Sequence, residues 1–126
     1  MTILKTHKID FKILDRPEMP LHSVTAGETI VSQGSPAKEM YLVRKGRIAI
    51  QVNGKTVEEV DEGGIFGEMA LIDHAPRSAS VVAITDCDVI PIDERLFVIL
   101  VQDAPYFALD VMRVLTDRIR RMNDLI

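Results

Sequence analysis

The segment Gly64-Ile65-Phe66-Gly67-Glu68-Met69-Ala70-Leu71-Ile72-Asp73-His74-Ala75-Pro76-Arg77-Ser78-Ala79-Ser80-Val81 gathers a glycine turn, one carboxylate and one arginine into a short stretch. Gly67 lets the backbone approach an anion with no side chain in the way. Residues 68–72 are good helix formers, so a helix starting at Gly67 would aim its free N–H groups at that anion. Arg77 supplies a planar, permanently charged fork for two phosphate oxygens, and Ser78 places a hydroxyl donor beside it. Glu68 repels phosphate, but it accepts a hydrogen bond from a hydroxyl such as that of a ribose. The set suits a ligand that carries both a phosphate and a sugar hydroxyl. Taken singly, the same residues also fit a tight turn and a surface Glu68–Arg77 ion pair of little energetic worth. Their combination at this spacing points to a ligand.

The elements that must position this segment can be read on either side of it. Residues 20–93 form short strands between glycine turns, at about 22–25, 29–32, 40–44, 48–52, 56–60, 79–84 and 89–92. Asn53-Gly54 is the strongest hairpin signal in the chain. Many short strands at regular spacing predict a mainly β fold with flanking α: an antiparallel β-roll, or jelly roll, with a short cassette helix and C-terminal helices. From Asp93 the period turns helical. One helix is expected from Asp93 or Glu94 through Leu96, Phe97, Ile99 and Leu100. Asp103-Ala104-Pro105 then restarts the chain, with Asp103 as the expected N-cap of a helix running to the C-terminus. On that helix Met112, Leu115, Ile119, Met122 and Ile126 fall at spacings of three and four, and Val111, Val114 and Leu125 widen the apolar face. The stripe either packs on the roll or pairs with a second copy. Arg118, Arg120 and Arg121 alternate with Asp117 and Asp124 and read as a solvated face. Residues 1–126 are expected to form one domain, with the roll at about 20–93 and the C-terminal helices at about 94–126.

Composition narrows the classes. The chain has 126 residues, enough for a real core, and 47% are hydrophobic. A net charge of −4 argues against a broad nucleic-acid surface. No apolar run is long enough to cross a bilayer, and residues 1–12 hold no signal-peptide core. The single cysteine, Cys87, excludes an internal disulfide and reads as a packed strand residue. These features together predict a cytoplasmic protein. Enzyme chemistry finds little support. His7, His22 and His74 are scattered, with no paired metal spacing, and His74 reads as a solvent-facing position in the cassette loop. No nucleophile has an evident histidine and acid, and no second carboxylate accompanies Glu68 and Arg77 for hydrolysis. The expectation is a binding protein, with no catalytic residue, metal or cofactor.

The pattern Phe-Gly-Glu-x-Ala-Leu, a short loop, then Pro-Arg-Ser-Ala resembles the phosphate-binding cassette of cyclic nucleotide-binding domains. That family includes the bacterial catabolite activators, the regulatory subunits of protein kinase A and cyclic-nucleotide-gated channels. The resemblance covers about residues 20–126, with Gly34, Gly46 and Gly63 at the family's structural glycines. Family members usually carry an N-terminal helical segment, which Asp15-Arg16-Pro17-Glu18-Met19-Pro20 does not continue well.

The resemblance implies that Glu68 holds the ribose 2′-hydroxyl and Arg77 the cyclic phosphate. Gly67 and the N–H groups near Met69 and Ala70 would complete the cradle, and Ser78 would touch phosphate or base. Threonine in place of Ser78 favours cyclic GMP in the family, so cyclic AMP is the first expectation here and cyclic GMP the second. Ile65 is expected to flank the purine, and Met122 and Asn123 lie where the catabolite activators' long helix meets adenine. That same helix pairs two subunits in the catabolite activators, which implies a homodimer. The chain shows no DNA-reading element, channel segment or kinase-inhibitor motif. It reads as a sensor that signals by helix movement to a separate effector. The alternative is a structural or protein-interaction module on the same roll, with a relict cassette.

Overall fold

The computed structural model describes residues 7–10, 14, 16 and 19–124. Eight strands, β1 (His22–Val24), β2 (Thr29–Val31), β3 (Glu39–Lys45), β4 (Ile48–Val52), β5 (Lys55–Val60), β6 (Ile65–Phe66), β7 (Ser80–Ala83) and β8 (Cys87–Asp93), precede or flank three helices. The helices are α1 (Met69–Ile72), α2 (Glu94–Asp103) and α3 (Tyr106–Asn123). The strands form two antiparallel four-stranded sheets, ordered β1-β8-β3-β6 and β2-β7-β4-β5. This is the expected jelly roll followed by helices.

The first sheet is buried on both faces, which explains why β3 reads as a run of apolar residues rather than an alternation. Met40, Leu42, Ile90 and Ile92 face the helices and pack with Leu100, Phe107, Val111 and Val114. Tyr41, Val43, Cys87 and Val89, one step out of phase, face the second sheet and pack with Ile48, Val60, Val81 and Ala83. Successive strand side chains point to opposite faces, so this parity determines what each residue can reach.

Most turns follow local chemistry. Asn53 and Gly54 have φ of 52° and 80° and close the β4–β5 hairpin, with Val52 opposite Lys55. That is the turn in which both central residues are left-handed. Asp93 caps α2 by accepting the Leu96 N–H at 2.8 Å. Three sequence expectations need correction. Strand β6, only two residues long, lies inside the cassette, where no strand was expected. Strand β8 begins at Cys87 rather than Val89, because Cys87 pairs with Val24 across the sheet. Asp103 is the last residue of α2 and does not cap α3; Pro105 holds the N-cap position, and the Asp103 carboxylate pairs with Arg16 instead.

Residues 15, 17 and 18 of the interrupted N-terminal segment, and Leu125 and Ile126 of the apolar stripe, lie outside the described residues. Among those described, no helix is long and apolar enough to cross a membrane.

Candidate functional site

Strand β6 leads straight into the site. Phe66 turns towards the second sheet and stacks on Tyr41, with ring centroids 4.9 Å apart. Gly67 follows with φ of +75°. A Cβ added there would lie 2.6 Å from Arg77 Nη1, so the end of the guanidinium closes on a left-handed position that favours glycine. The chain then enters α1, a single helical turn.

Arg77 is buried. Its main chain is pinned on both sides: its N–H donates to Ser35 O at 2.9 Å, and its carbonyl accepts from Gly34 at 2.7 Å. Its guanidinium donates to Glu39 O at 2.9 Å and to Gly67 O at 3.3 Å, and sits 5.7 Å from the Tyr41 ring centroid. Tyr41 in turn donates to Glu39 Oε1 at 2.9 Å. Burial, then the hydrogen bond and charge of Glu39, push the Tyr41 phenol up to about 12 against the opposing charge of Arg77, so it stays a neutral donor. No carboxylate of the described residues forms an ion pair with Arg77. A buried guanidinium whose hydrogen-bond partners among the described residues are two carbonyls has spare donors for an anion.

Glu68 is buried as well, yet it does not pair with Arg77. Its Oε1 accepts from Arg118 Nη1 at 2.5 Å, while its Oε2 is buried with no hydrogen-bond partner among the described residues. A buried orphan acceptor costs free energy unless a donor reaches it. Sequence reasoning missed Arg118, which read as part of a solvated face. Its side chain is 16% exposed and also donates to Ile65 O at 2.6 Å. Its Nε lies 3.1 Å from Glu58 Oε2, a contact between charges rather than a hydrogen bond. Arg121 completes the group by donating to Glu58 Oε1 at 2.8 Å. The signal was present in the spacing: Phe107, Val111, Val114 and Arg118 follow one another at four, three and four residues, so Arg118 continues the buried stripe of α3.

These groups border a cleft of about 360 Å³, a size suited to a small ligand. Gly67, Glu68, Met69, Ala70, Arg77 and Ser78 all line it, so the structure brings these residues of the sequence reading together. Its apolar wall is made by Ile50, Val52, Val57, Phe66 and Val81. Met122 reaches the cleft from α3, whereas Asn123 is exposed and does not line it. Ile65 is displaced from its expected place: its side chain is fully buried in the helix-facing core, because on β6 it is Phe66 that has the parity of the cleft. The Ala70 N–H, expected in the cradle, donates to Gly67 O at 3.2 Å. His74 is an exposed loop residue with φ of 57°. Among the described residues, no group of three or more His, Cys, Asp or Glu is placed to hold a metal ion.

Known proteins share this fold. The crystal structure of the Thermus thermophilus catabolite activator protein matches with a TM-score of 0.72 at 27% identity, over 83% of this chain and 52% of that one. The chain therefore spans about half the length of that relative. A cyclic nucleotide-binding domain from Methylobacillus flagellatus matches with a TM-score of 0.73 at 27% identity, over 86% of this chain and 66% of that one. The EAL enzyme Bd1971, in a half-site-occupied form, matches with a TM-score of 0.64 at 34% identity, over 83% of this chain and 98% of that one. The family description "Cyclic nucleotide-binding domain" matches residues 21–104. With the cassette geometry and these matches together, the chain belongs to the cyclic nucleotide-binding domain family.

Proposed function

We propose that this domain is a cyclic AMP sensor, with cyclic GMP as the second candidate ligand. One observation carries the reading: a buried arginine with no carboxylate partner among the described residues lines the same cleft as Glu68, whose Oε2 is buried with no hydrogen-bond partner among them. In this reading Arg77 and Ser78 hold the cyclic phosphate with Gly67 and the backbone near Met69 and Ala70. Glu68 Oε2 accepts the ribose 2′-hydroxyl, and Met122 covers the base. Such a ligand is an intracellular messenger, so the reading puts the domain in the cytoplasm.

Calorimetric titration with cyclic AMP, cyclic GMP and 2′-deoxy cyclic AMP tests the assignment. Glu68→Gln is expected to weaken cyclic AMP by about 1.5–3 kcal/mol, the worth of a hydrogen bond to a charged group, and to weaken the 2′-deoxy analogue much less. Equal losses for both would remove Glu68 from the ribose. No binding by the wild-type protein would favour the interaction-module reading.

Signalling would proceed by population shift. Arg118 sits on α3 and Glu68 in the cassette, so a ligand that engages Glu68 changes what holds α3. A second copy of the chain is the first partner proposed. Met112 and Ile119 lie 55% and 58% exposed along α3, on a side that the roll does not cover. Ile119→Glu, a change away from the cleft, is expected to convert a dimer to a monomer in sedimentation velocity. A wild-type protein that sediments as a monomer would exclude this seam.

A further inference from the structure

Residues 7–10 form a strap that touches Gly63 and α3 and does not line the cassette cleft. The Ile9 N–H donates to Gly63 O at 2.9 Å, and the Ile9 side chain is buried in the same core as Val111 and Val114. Gly63, with φ of +84°, is the contact point: a Cβ there would lie 2.9 Å from the Lys8 side chain. Lys8 also donates to Glu62 O at 2.7 Å and pairs with Asp61. At the other end of the strap, the His7 N–H donates to Asp117 Oδ2 at 2.6 Å, and His7 Nδ1 lies 2.9 and 3.0 Å from the two carboxylate oxygens. Burial alone would raise the Asp117 pKa. The main-chain and ring hydrogen bonds of His7, with the charges of His7 and Arg121, outweigh it and hold the carboxyl below its ordinary value.

The two ends of this strap meet the two halves of the candidate site. Gly63 ends the turn that leads through β6 to Gly67 and Glu68. Asp117 immediately precedes Arg118 on α3. The apolar anchoring of α3 ends at Val114 and Leu115. Beyond them the ties to the other described residues are hydrogen bonds and ion pairs, with Met122 only bordering the cleft: Asp117 with His7, Arg118 with Glu68, Glu58 and Ile65 O, and Arg121 with Glu58. This part of the helix has no buried apolar grip of its own, so each polar tie bears on where Arg118 lies.

We propose that His7 and Asp117 are positioning residues, which clamp α3 so that Arg118 stays on Glu68 and thereby set how strongly the ribose hydroxyl is recognised. The proposal rests on the cyclic-nucleotide reading above. Neither residue borders the cassette cleft. Releasing the clamp frees the end of α3 and leaves Glu68 without a fixed orientation. Arg77, held by the roll, keeps its place at the phosphate end. A merely structural role would weaken every nucleotide alike; a positioning role acts on the hydroxyl.

The test uses the full chain with Asp117→Ala and the milder His7→Gln, which retains the main-chain bond to Asp117. Cyclic AMP and 2′-deoxy cyclic AMP are titrated into each, with thermal unfolding in parallel. Cyclic AMP affinity is expected to fall about fivefold in Asp117→Ala, within the range of couplings inside one polar network. It should fall less, in the same direction, in His7→Gln, while the 2′-deoxy analogue changes little in either. The preference for the 2′-hydroxyl therefore narrows. Unchanged preference, or equal loss for both ligands, overturns the clamp while leaving the ligand reading intact. A wild-type protein that binds neither nucleotide overturns the ligand reading and the clamp with it.

Discussion

Arg77→Ala is expected to reduce cyclic AMP affinity by about 2–5 kcal/mol, the cost of leaving a desolvated charge without its partner. The size follows from burial and rigidity. Arg77 is buried, its main chain is fixed to Gly34 and Ser35, and its guanidinium is set by two carbonyls and the Tyr41 ring. Little of its ordering has to be supplied on binding, so the charge acts at nearly full strength on a phosphate brought out of water. Arg77→Lys should recover only part of the loss, because an ammonium cannot serve two phosphate oxygens from one plane. The fold should persist in both variants, since the loop is held by main-chain bonds. Titration calorimetry decides the matter, and unchanged affinity in the alanine variant would remove Arg77 from the site.

Arg118→Ala should have the largest effect on the ligand-free protein. It strips from Glu68 its one ion-pair partner among the described residues; the Glu68 side chain is 11% exposed, and its second oxygen has no partner among them. Removing one member of a buried ion pair typically costs 3–5 kcal/mol. The residual exposure here argues for the lower end, about 3 kcal/mol. The loss should appear in urea unfolding as a lower midpoint with an unchanged slope. The double variant Arg118→Ala, Glu68→Gln should be more stable than Arg118→Ala alone, because a neutral amide is cheaper to bury than an unpaired carboxylate. A loss below about 1 kcal/mol would place the pair among solvated surface bridges. The same outcome would weaken the idea that α3 reports on the cassette through Arg118.

What could be read in advance depended on how far apart the interacting residues lie. The Asn53-Gly54 hairpin and the Asp93 cap involve neighbours, and both formed as local chemistry dictates. The cassette is one continuous segment, so its glycine, carboxylate and arginine were recognisable together. Ile65 was misplaced because a two-residue strand gives no period from which to infer which side chain faces the cleft. Arg118 was missed because its charge was weighed against neighbouring aspartates rather than against the buried residues one and two turns earlier.

Residue type, turn chemistry and short-range spacing alone determined the roll, the two long helices and the cleft residues from Gly67 to Ser78. Those features arise from interactions within a few residues, where steric preference and local hydrogen bonding decide the conformation. Tertiary structure alone decided how the groups are partnered. Glu68 meets Arg118 across 50 positions, and His7 meets Asp117 across 110. Such pairings depend on the packing of α3 against the first sheet and on which face each strand residue takes. A local period shows which residues share a face, but not which distant residue each one meets.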